Sequence, residues 1–154
     1  MTSAIDKLGV IPILIIHGNH DSADDLKKEC EKYKNMIFFH GKIKKIKGVW
    51  FAGWGGDGFS LTDKKFEEET KRWDEKIKKN EKFVLFTHGP PHDTVFDKVW
   101  ENSTGNKSYK QYIIKRKPLL YLTGHIHECE LERELIGKKT LAMNLGPYGE
   151  VFEI

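Results

Sequence analysis

The sequence predicts an α/β protein. Short, uninterrupted runs of apolar residues recur along the chain, and several of them lead directly into polar loops that contain histidine. Such runs are typical of strands that are buried on both faces of a sheet. Segments with apolar residues at helical spacing lie between them. This alternation favours an open α/β sheet, in which ligand sites form outside the carboxyl ends of the strands.

Length and composition fit one globular domain. The 154 residues are 38% hydrophobic and 32% charged, and the formal charge of +3 does not by itself indicate a nucleic-acid or membrane partner. Two cysteines make no disulfide framework. The longest apolar run is far too short to span a bilayer, and no basic signal-peptide region opens the chain. We therefore expect a single domain over residues 1–154, located in the cytoplasm.

Strands and helices alternate through the first half of the chain. The expected elements are a strand at 13–16, a helix at about 22–35 capped by Ser22, a strand at 36–39, and a hairpin at 42–52 that turns near Lys47-Gly48. The lysines of the hairpin are interpreted as solvated edge-strand charges, with phosphate tracking as the alternative. The glycine-rich loop at 53–58 matches neither a P-loop nor a dinucleotide fingerprint and is expected to form a flexible rim. Its Trp54 packs over the core or contacts substrate.

The second half continues the same alternation. The expected elements are a helix from Ser60 or Thr62 to about Lys79 with Phe66, Thr70, Trp73 and Ile77 on one face, a strand at 83–86, a loop at 93–107, a helix at 108–115, a strand at 119–122, a hairpin at 129–143 turning at Gly137-Lys138, and a final strand at 149–154.

All seven histidines follow closely after apolar, strand-like runs; they are His17, His20, His40, His88, His92, His125 and His127. Histidine is the commonest metal ligand and titrates near physiological pH, so this grouping indicates a metal or proton-transfer site built from several loops. In extended backbone, His125 and His127 would point to the same side and bind one metal or a metal pair. For Asn19, His20 and Asp21, the alternative is a turn whose side chains bond their own backbone.

Three segments resemble motifs of the calcineurin-like metallophosphoesterase superfamily. They are Gly18-Asn19-His20-Asp21, Thr87-His88-Gly89-Pro90-Pro91 and Gly124-His125-Ile126-His127, and they occur in the family's order. The likeness is greatest to small prokaryotic Icc-like phosphoesterases, and Asn144-Leu145-Gly146-Pro147 resembles their closing strand and turn. The resemblance covers nearly the whole chain and implies a two-sheet β-sandwich flanked by helices, in an αββα arrangement.

The resemblance also implies a binuclear metal site. The ligands of one metal would be Asn19, His88 and His125, and His127 would ligate the other. Two metals about 3.5–4 Å apart would polarise a phosphate and activate a hydroxide for in-line attack. Neutral imidazole and amide ligands suit divalent Mn, Fe, Zn, Co or Ni.

Hydrolysis of small phosphate mono- or diesters is the activity that the resemblance implies. His20 would be the general acid that protonates the leaving oxygen, and Asp21 would orient it. His17 and His92 flank the motifs and are expected in supporting or solvent-facing positions rather than in the phosphate pocket. A nuclease of the same superfamily is an alternative that the modest net charge disfavours. No membrane partner is expected.

The sequence departs from the family pattern at its start. The family carries an Asp-x-His on its first strand and a Gly-Asp on its second; no Asp-x-His occurs here, and Gly56-Asp57 follows the Asn-His-Asp motif instead of preceding it. The domain is therefore expected to be N-terminally incomplete. Truncation of an enzyme is favoured over completion by a second chain or over a catalytically impaired binding module, because every retained motif keeps its chemistry. Bare apolar faces would make this polypeptide poorly stable alone or a homo-oligomer.

Overall fold

The computed structural model describes residues 11–56 and 58–154. In chain order the elements are β1 (Ile13–Ile15), α1 (Ala23–Glu31), β2 (Met36–Phe38), β3 (Lys42–Ile46), β4 (Val49–Trp54), α2 (Lys64–Lys76), β5 (Phe83–Thr87), β6 (Lys98–Val99), β7 (Asn102–Ser103), α3 (Lys107–Arg116), β8 (Leu120–Thr123), a 3₁₀ turn (His127–Cys129), β9 (Arg133–Ile136) and β10 (Thr140–Asn144). No helix in these ranges is long and apolar enough to cross a bilayer.

A six-stranded mixed sheet forms the centre of the molecule. Its strand order is β3-β4-β5-β8-β10-β9, and β1-β2 and β6-β7 form two small sheets. The four inner strands run parallel, and β3 and β9 pair antiparallel at the edges. The predicted α/β class, with helices flanking a central sheet, is confirmed. Because the inner strands are parallel, the loops after β4, β5 and β8 emerge at the same edge of the sheet.

The two faces of the central sheet carry different packing. Alternate residues of a strand point to opposite faces, so Leu85 joins the large aromatic core formed with α2 and α3, and Val84 joins a smaller cluster on the other side. The core face of α2 is the predicted one. Its four apolar-face residues, Phe66, Thr70, Trp73 and Ile77, are all buried.

Helix α2 begins one residue later than the latest predicted cap. Asp63 is the N-cap, because its carboxylate accepts hydrogen bonds from the backbone N–H of Phe66 (2.9 Å) and from Nε1 of Trp54 (2.7 Å). The expected cap at Ser60 or Thr62 is therefore wrong. Trp54 is 7% exposed and belongs to the core, which confirms packing over substrate contact. The helix ends at Lys76 because Ile77 adopts an extended conformation.

Strand β1 differs from the prediction. It was expected to be buried on both faces, but each of its three residues is only half-buried. In the described part of the chain β1 pairs only with β2, in a two-stranded parallel sheet. Leu14 and Ile16 line an open apolar cavity of about 810 Å³, together with Phe51, Val84 and Leu122 from the central sheet. The start of the chain is therefore packed much less tightly than the central sheet.

The turns follow the sequence closely, and the last segment does not. Both predicted hairpins form, with positive φ at Lys47-Gly48 and at Gly137-Lys138. Ser22 caps α1 by accepting from the Asp25 N–H, although the helix ends at Glu31, short of position 35. The loop at 93–107 contains the β6-β7 hairpin. A strand at 149–154 is wrong, because Phe152 packs against the cluster around Val84 instead of extending the sheet.

We expect Leu85→Ala to lower the free energy of unfolding by about 2–5 kcal/mol, since the side chain is 0% exposed and its removal leaves a cavity. The matched control is Leu135→Ala in β9 of the same sheet, where the leucine is 64% exposed. It should cost less than about 1 kcal/mol. Urea unfolding of both variants measures the difference, and equal losses would contradict this assignment of the core.

Candidate functional site

Three loops meet at one cavity of about 400 Å³. The loop after β1 supplies the Asn-His-Asp motif, the loop after β5 supplies one histidine, and the loop after β8 supplies two. All of the predicted site residues line the cavity, namely Asn19, His20, Asp21, His88, His125 and His127. Phe59, from the loop that follows β4, completes the lining.

The inner part of the cavity is formed by Asn19, His88 and His125. Asn19 Oδ1 lies 2.9 Å from His88 Nε2. The rings of His88 and His125 meet edge to face, with their centroids 4.8 Å apart. Burial lowers the pKa of His88 to about 4, helped by the nearby His125, and burial also lowers the pKa of His125. Both rings are therefore neutral at pH 7, which is the form that binds metals.

The chemistry of this trio fits a metal ion. His125 Nε2 is buried and makes no hydrogen bond to any described residue. An unpaired buried nitrogen is unfavourable, so this atom is suited to a ligand that accepts its lone pair. His125 also has φ +72, a conformation that is uncommon outside glycine. An amide oxygen and two neutral imidazoles are typical ligands of borderline divalent metals.

His127 lies at the rim of the cavity. The expected extended backbone is wrong, because His125 has a positive φ and His127 begins the 3₁₀ turn while Ile126 is buried in the core. The His127 side chain is 86% exposed, and its Nδ1 lies 3.7 Å from Glu130 Oε1. Within the described ranges, no three His, Cys, Asp or Glu side chains converge closely enough to hold a metal. The inner trio therefore depends on the amide of Asn19.

The Asn-His-Asp motif closes a turn. Asp21 Oδ2 accepts a hydrogen bond from the Gly18 N–H at 2.7 Å, as the alternative interpretation of this segment expected. His20 is exposed and borders the cavity. The Asp21 carboxylate is therefore held by the backbone at the edge of the cavity, where it raises the pKa of His88 slightly against the effect of burial.

The glycine-rich segment is a wall of the site, a role that the sequence analysis missed. A Cβ atom on Gly58 would lie 2.7 Å from His125 Cε1, 2.9 Å from His125 Nε2 and 3.3 Å from Asn19 Cγ. The Phe59 ring centroid lies 4.5 Å from that of His125. Asp57 lies outside the described residues. The density of glycine was the available signal, because only glycine permits imidazoles to pack this close to the backbone.

A second cavity of about 400 Å³ lies on the other side of His17. We call it the His17–His40 pocket, and its other lining residues are Trp54, Gly55, Gly56, Thr62, Asp63, Lys64 and Lys65. The Gly55 N–H donates to His40 Nδ1 at 3.0 Å. Burial lowers the pKa of both histidines. His92 borders neither cavity.

Comparison with known proteins identifies the family. The model of the calcineurin-like phosphoesterase family matches residues 2–129. The chain belongs to this family. Its general function is phosphoesterase-type hydrolysis, and its members generally use divalent metals. A comparison with curated proteins found no match.

Two solved structures share the fold. One crystal structure has a TM-score of 0.72 and 20% identity, covering 92% of this chain and 60% of its own. The crystal structure of TT1561 of Thermus thermophilus has a TM-score of 0.67 and 18% identity, covering 88% of this chain and 63% of its own. At such identities the likeness concerns the fold alone. This family member spans about three-fifths of the length of either structure.

We expect Gly58→Ala to weaken Mn²⁺ binding about 10- to 100-fold, because the added Cβ must displace the imidazole of His125. The loop is outside the core, so the melting temperature should change little. Calorimetric titration of Mn²⁺ into both proteins measures the effect. An unchanged affinity would show that the position of His125 does not determine metal binding.

The pH dependence of stability should report on His40. Its folded pKa is lowered by burial, so below the unfolded value of about 6.5 the unfolded chain binds a proton that the folded ring resists. Wild type should therefore lose stability relative to His40→Asn as the pH falls from 7.5 to 5.5. Asparagine keeps an acceptor for the Gly55 N–H but does not titrate. Urea unfolding at both pH values measures this, with His92→Asn as control, and a pH-independent difference would contradict it.

Proposed function

We propose that this protein hydrolyses small phosphate mono- or diesters with the help of divalent transition metals. The observation that carries the proposal is the buried, unpaired Nε2 of His125, in a ring packed against His88 and beside the Gly58–Asn19 contact. The matched family supports phosphoester hydrolysis in general. The choice of ligands and of the acid is our own extension.

Asn19, His88 and His125 would hold one metal, and His127 would serve a second from the rim. When bound, such metals polarise a phosphoryl oxygen and lower the pKa of a water molecule. The protein prepares for this by burial, which keeps His88 and His125 neutral, so that binding at pH 7 need not displace a proton from either ring.

His20 would donate the proton that the leaving oxygen takes up. Its side chain borders the cavity next to Asn19, on a turn that Asp21 closes through the Gly18 N–H. Fixing this turn holds the imidazole at the mouth of the cavity, where the leaving group departs. Asp21 would act by orienting the turn and by placing a negative charge near an imidazolium.

The proposal predicts Mn²⁺-dependent hydrolysis of bis(4-nitrophenyl) phosphate that EDTA abolishes. His125→Ala should reduce kcat/KM at least about 100-fold, because it removes a metal ligand from the buried part of the site. His92→Ala is the matched control and should remain within about twofold, since His92 borders neither cavity. Release of 4-nitrophenolate measures the rates, and equal activity of both variants would reject the ligand assignment.

The role of His20 predicts a dependence on the leaving group. His20→Ala should reduce kcat about 10²- to 10⁴-fold for phenyl or alkyl esters, which need a proton on the leaving oxygen. The loss should be much smaller for 4-nitrophenyl esters, whose leaving group departs as the anion. Equal losses for both substrates would show that His20 is not the acid.

A binding module with impaired catalysis is the second candidate. It is favoured by the absence, within residues 11–56 and 58–154, of any group of three His, Cys, Asp or Glu able to hold a metal. Metal stoichiometry distinguishes the two. The enzyme should bind two Mn²⁺ ions per functional unit, whereas an impaired module should bind at most one and hydrolyse no aryl phosphodiester.

A further inference from the structure

The His17–His40 pocket shares a wall with the proposed metal site. His17 lines the pocket and its neighbour Gly18 lines the metal cavity, and consecutive Cα atoms are only about 3.8 Å apart. On the other side, Gly55 and Gly56 border the pocket while Gly58 contacts His125. A small molecule bound in the metal cavity could therefore reach the pocket through a short linker.

The glycine segment holds the His17 ring in place. A Cβ on Gly55 would lie 2.6 Å from both Nδ1 and the carbonyl oxygen of His17, and one on Gly56 would lie 2.8 Å from Nε2. The Gly56 N–H also donates to the His17 carbonyl oxygen at 2.8 Å. His17 Nδ1 is nevertheless buried without a hydrogen-bond partner among the described residues. The imidazole is thus positioned by backbone packing and not by a polar partner of its own.

His40 supplies a hydrogen-bond donor to the same pocket. Since its Nδ1 accepts from the Gly55 N–H, the neutral ring must carry its proton on Nε2. The ring packs against Trp54, with centroids 4.4 Å apart, and edge to face against His17, with centroids 4.8 Å apart. His40 is therefore a fixed donor.

The charge of the pocket is positive. Lys64 and Lys65 begin α2, a 13-residue helix whose N-terminus adds its own partial positive charge. Asp63 is the one acid among the described lining residues. Its carboxylate already accepts from the Phe66 N–H and from Trp54 Nε1. Two lysines therefore face one carboxylate that is already engaged, and this balance favours an anion.

We infer that the His17–His40 pocket binds a second oxyanionic group of the phosphoester substrate, either a phosphate or a carboxylate. It would select esters that carry two anionic groups a short distance apart, with the scissile phosphate at Asn19, His88 and His125. This inference rests on the proposed function for the identity of the first group. The pocket itself can be tested without metal and without turnover.

The test is titration of the full chain in EDTA with inorganic phosphate and, separately, with acetate, while the histidine ring signals are followed by NMR. At least one anion should shift the signals of His17 and His40 saturably. In Lys64→Gln/Lys65→Gln the Kd should rise at least fivefold. Lys71→Gln/Lys79→Gln removes the same charge from exposed positions outside the pocket and should stay within twofold of wild type.

The two anions identify the source of the oxyanion, since the tighter one names the group that the pocket prefers. The inference is overturned if neither anion shifts His17 and His40, or if the Lys64/Lys65 variant keeps the wild-type Kd while its melting curve shows it folded. Because the assay contains no metal, this failure would leave phosphodiester hydrolysis untouched. Loss of hydrolysis would in turn reject the proposed function without affecting anion binding.

Discussion

The carbonyl oxygen of His88 joins the two loops on which the site depends. It accepts hydrogen bonds from the Gly124 N–H at 3.2 Å and from Thr123 Oγ1 at 3.0 Å. These bonds continue the parallel pairing of β5 with β8 beyond the last paired residues. They bring the rings of His88 and His125 into contact, although the two residues are far apart in sequence. The geometry of the candidate site is thus a direct extension of the central sheet.

The remaining walls are supported unequally. The segment after β4 belongs to the same sheet and packs its glycines against His17 and His125 with almost no free space. The Asn-His-Asp turn instead follows β1, which is half-buried and lies over an open apolar cavity that also reaches His88. Regions with fewer buried contacts open more readily. Asn19 and His20 are therefore carried by the least tightly packed strand of the site.

Much of the fold was predictable because local signals agreed with tertiary packing. Apolar runs became strands, the spacing of Phe66 and Trp73 matched the core face of α2, and both hairpin turns formed at lysine-glycine pairs. The errors arose where a distant partner decided the outcome. Asp63 became the cap of α2 because it also binds Trp54, and the segment after Gly149 left the sheet because Phe152 found an apolar cluster.

The sequence by itself determined the chemistry of the site: strand-end histidines beside an asparagine, in an order that matches a known family. Tertiary structure alone decided which of them meet and how. It gave His125 a positive φ and left its Nε2 unpaired, and it turned His127 outward on a 3₁₀ turn. It also placed His17 and His40 in a separate, lysine-lined pocket. The reason is physical, since residue type sets which ligands a side chain can bind, whereas convergence depends on strand pairing and on the space that neighbouring glycines leave.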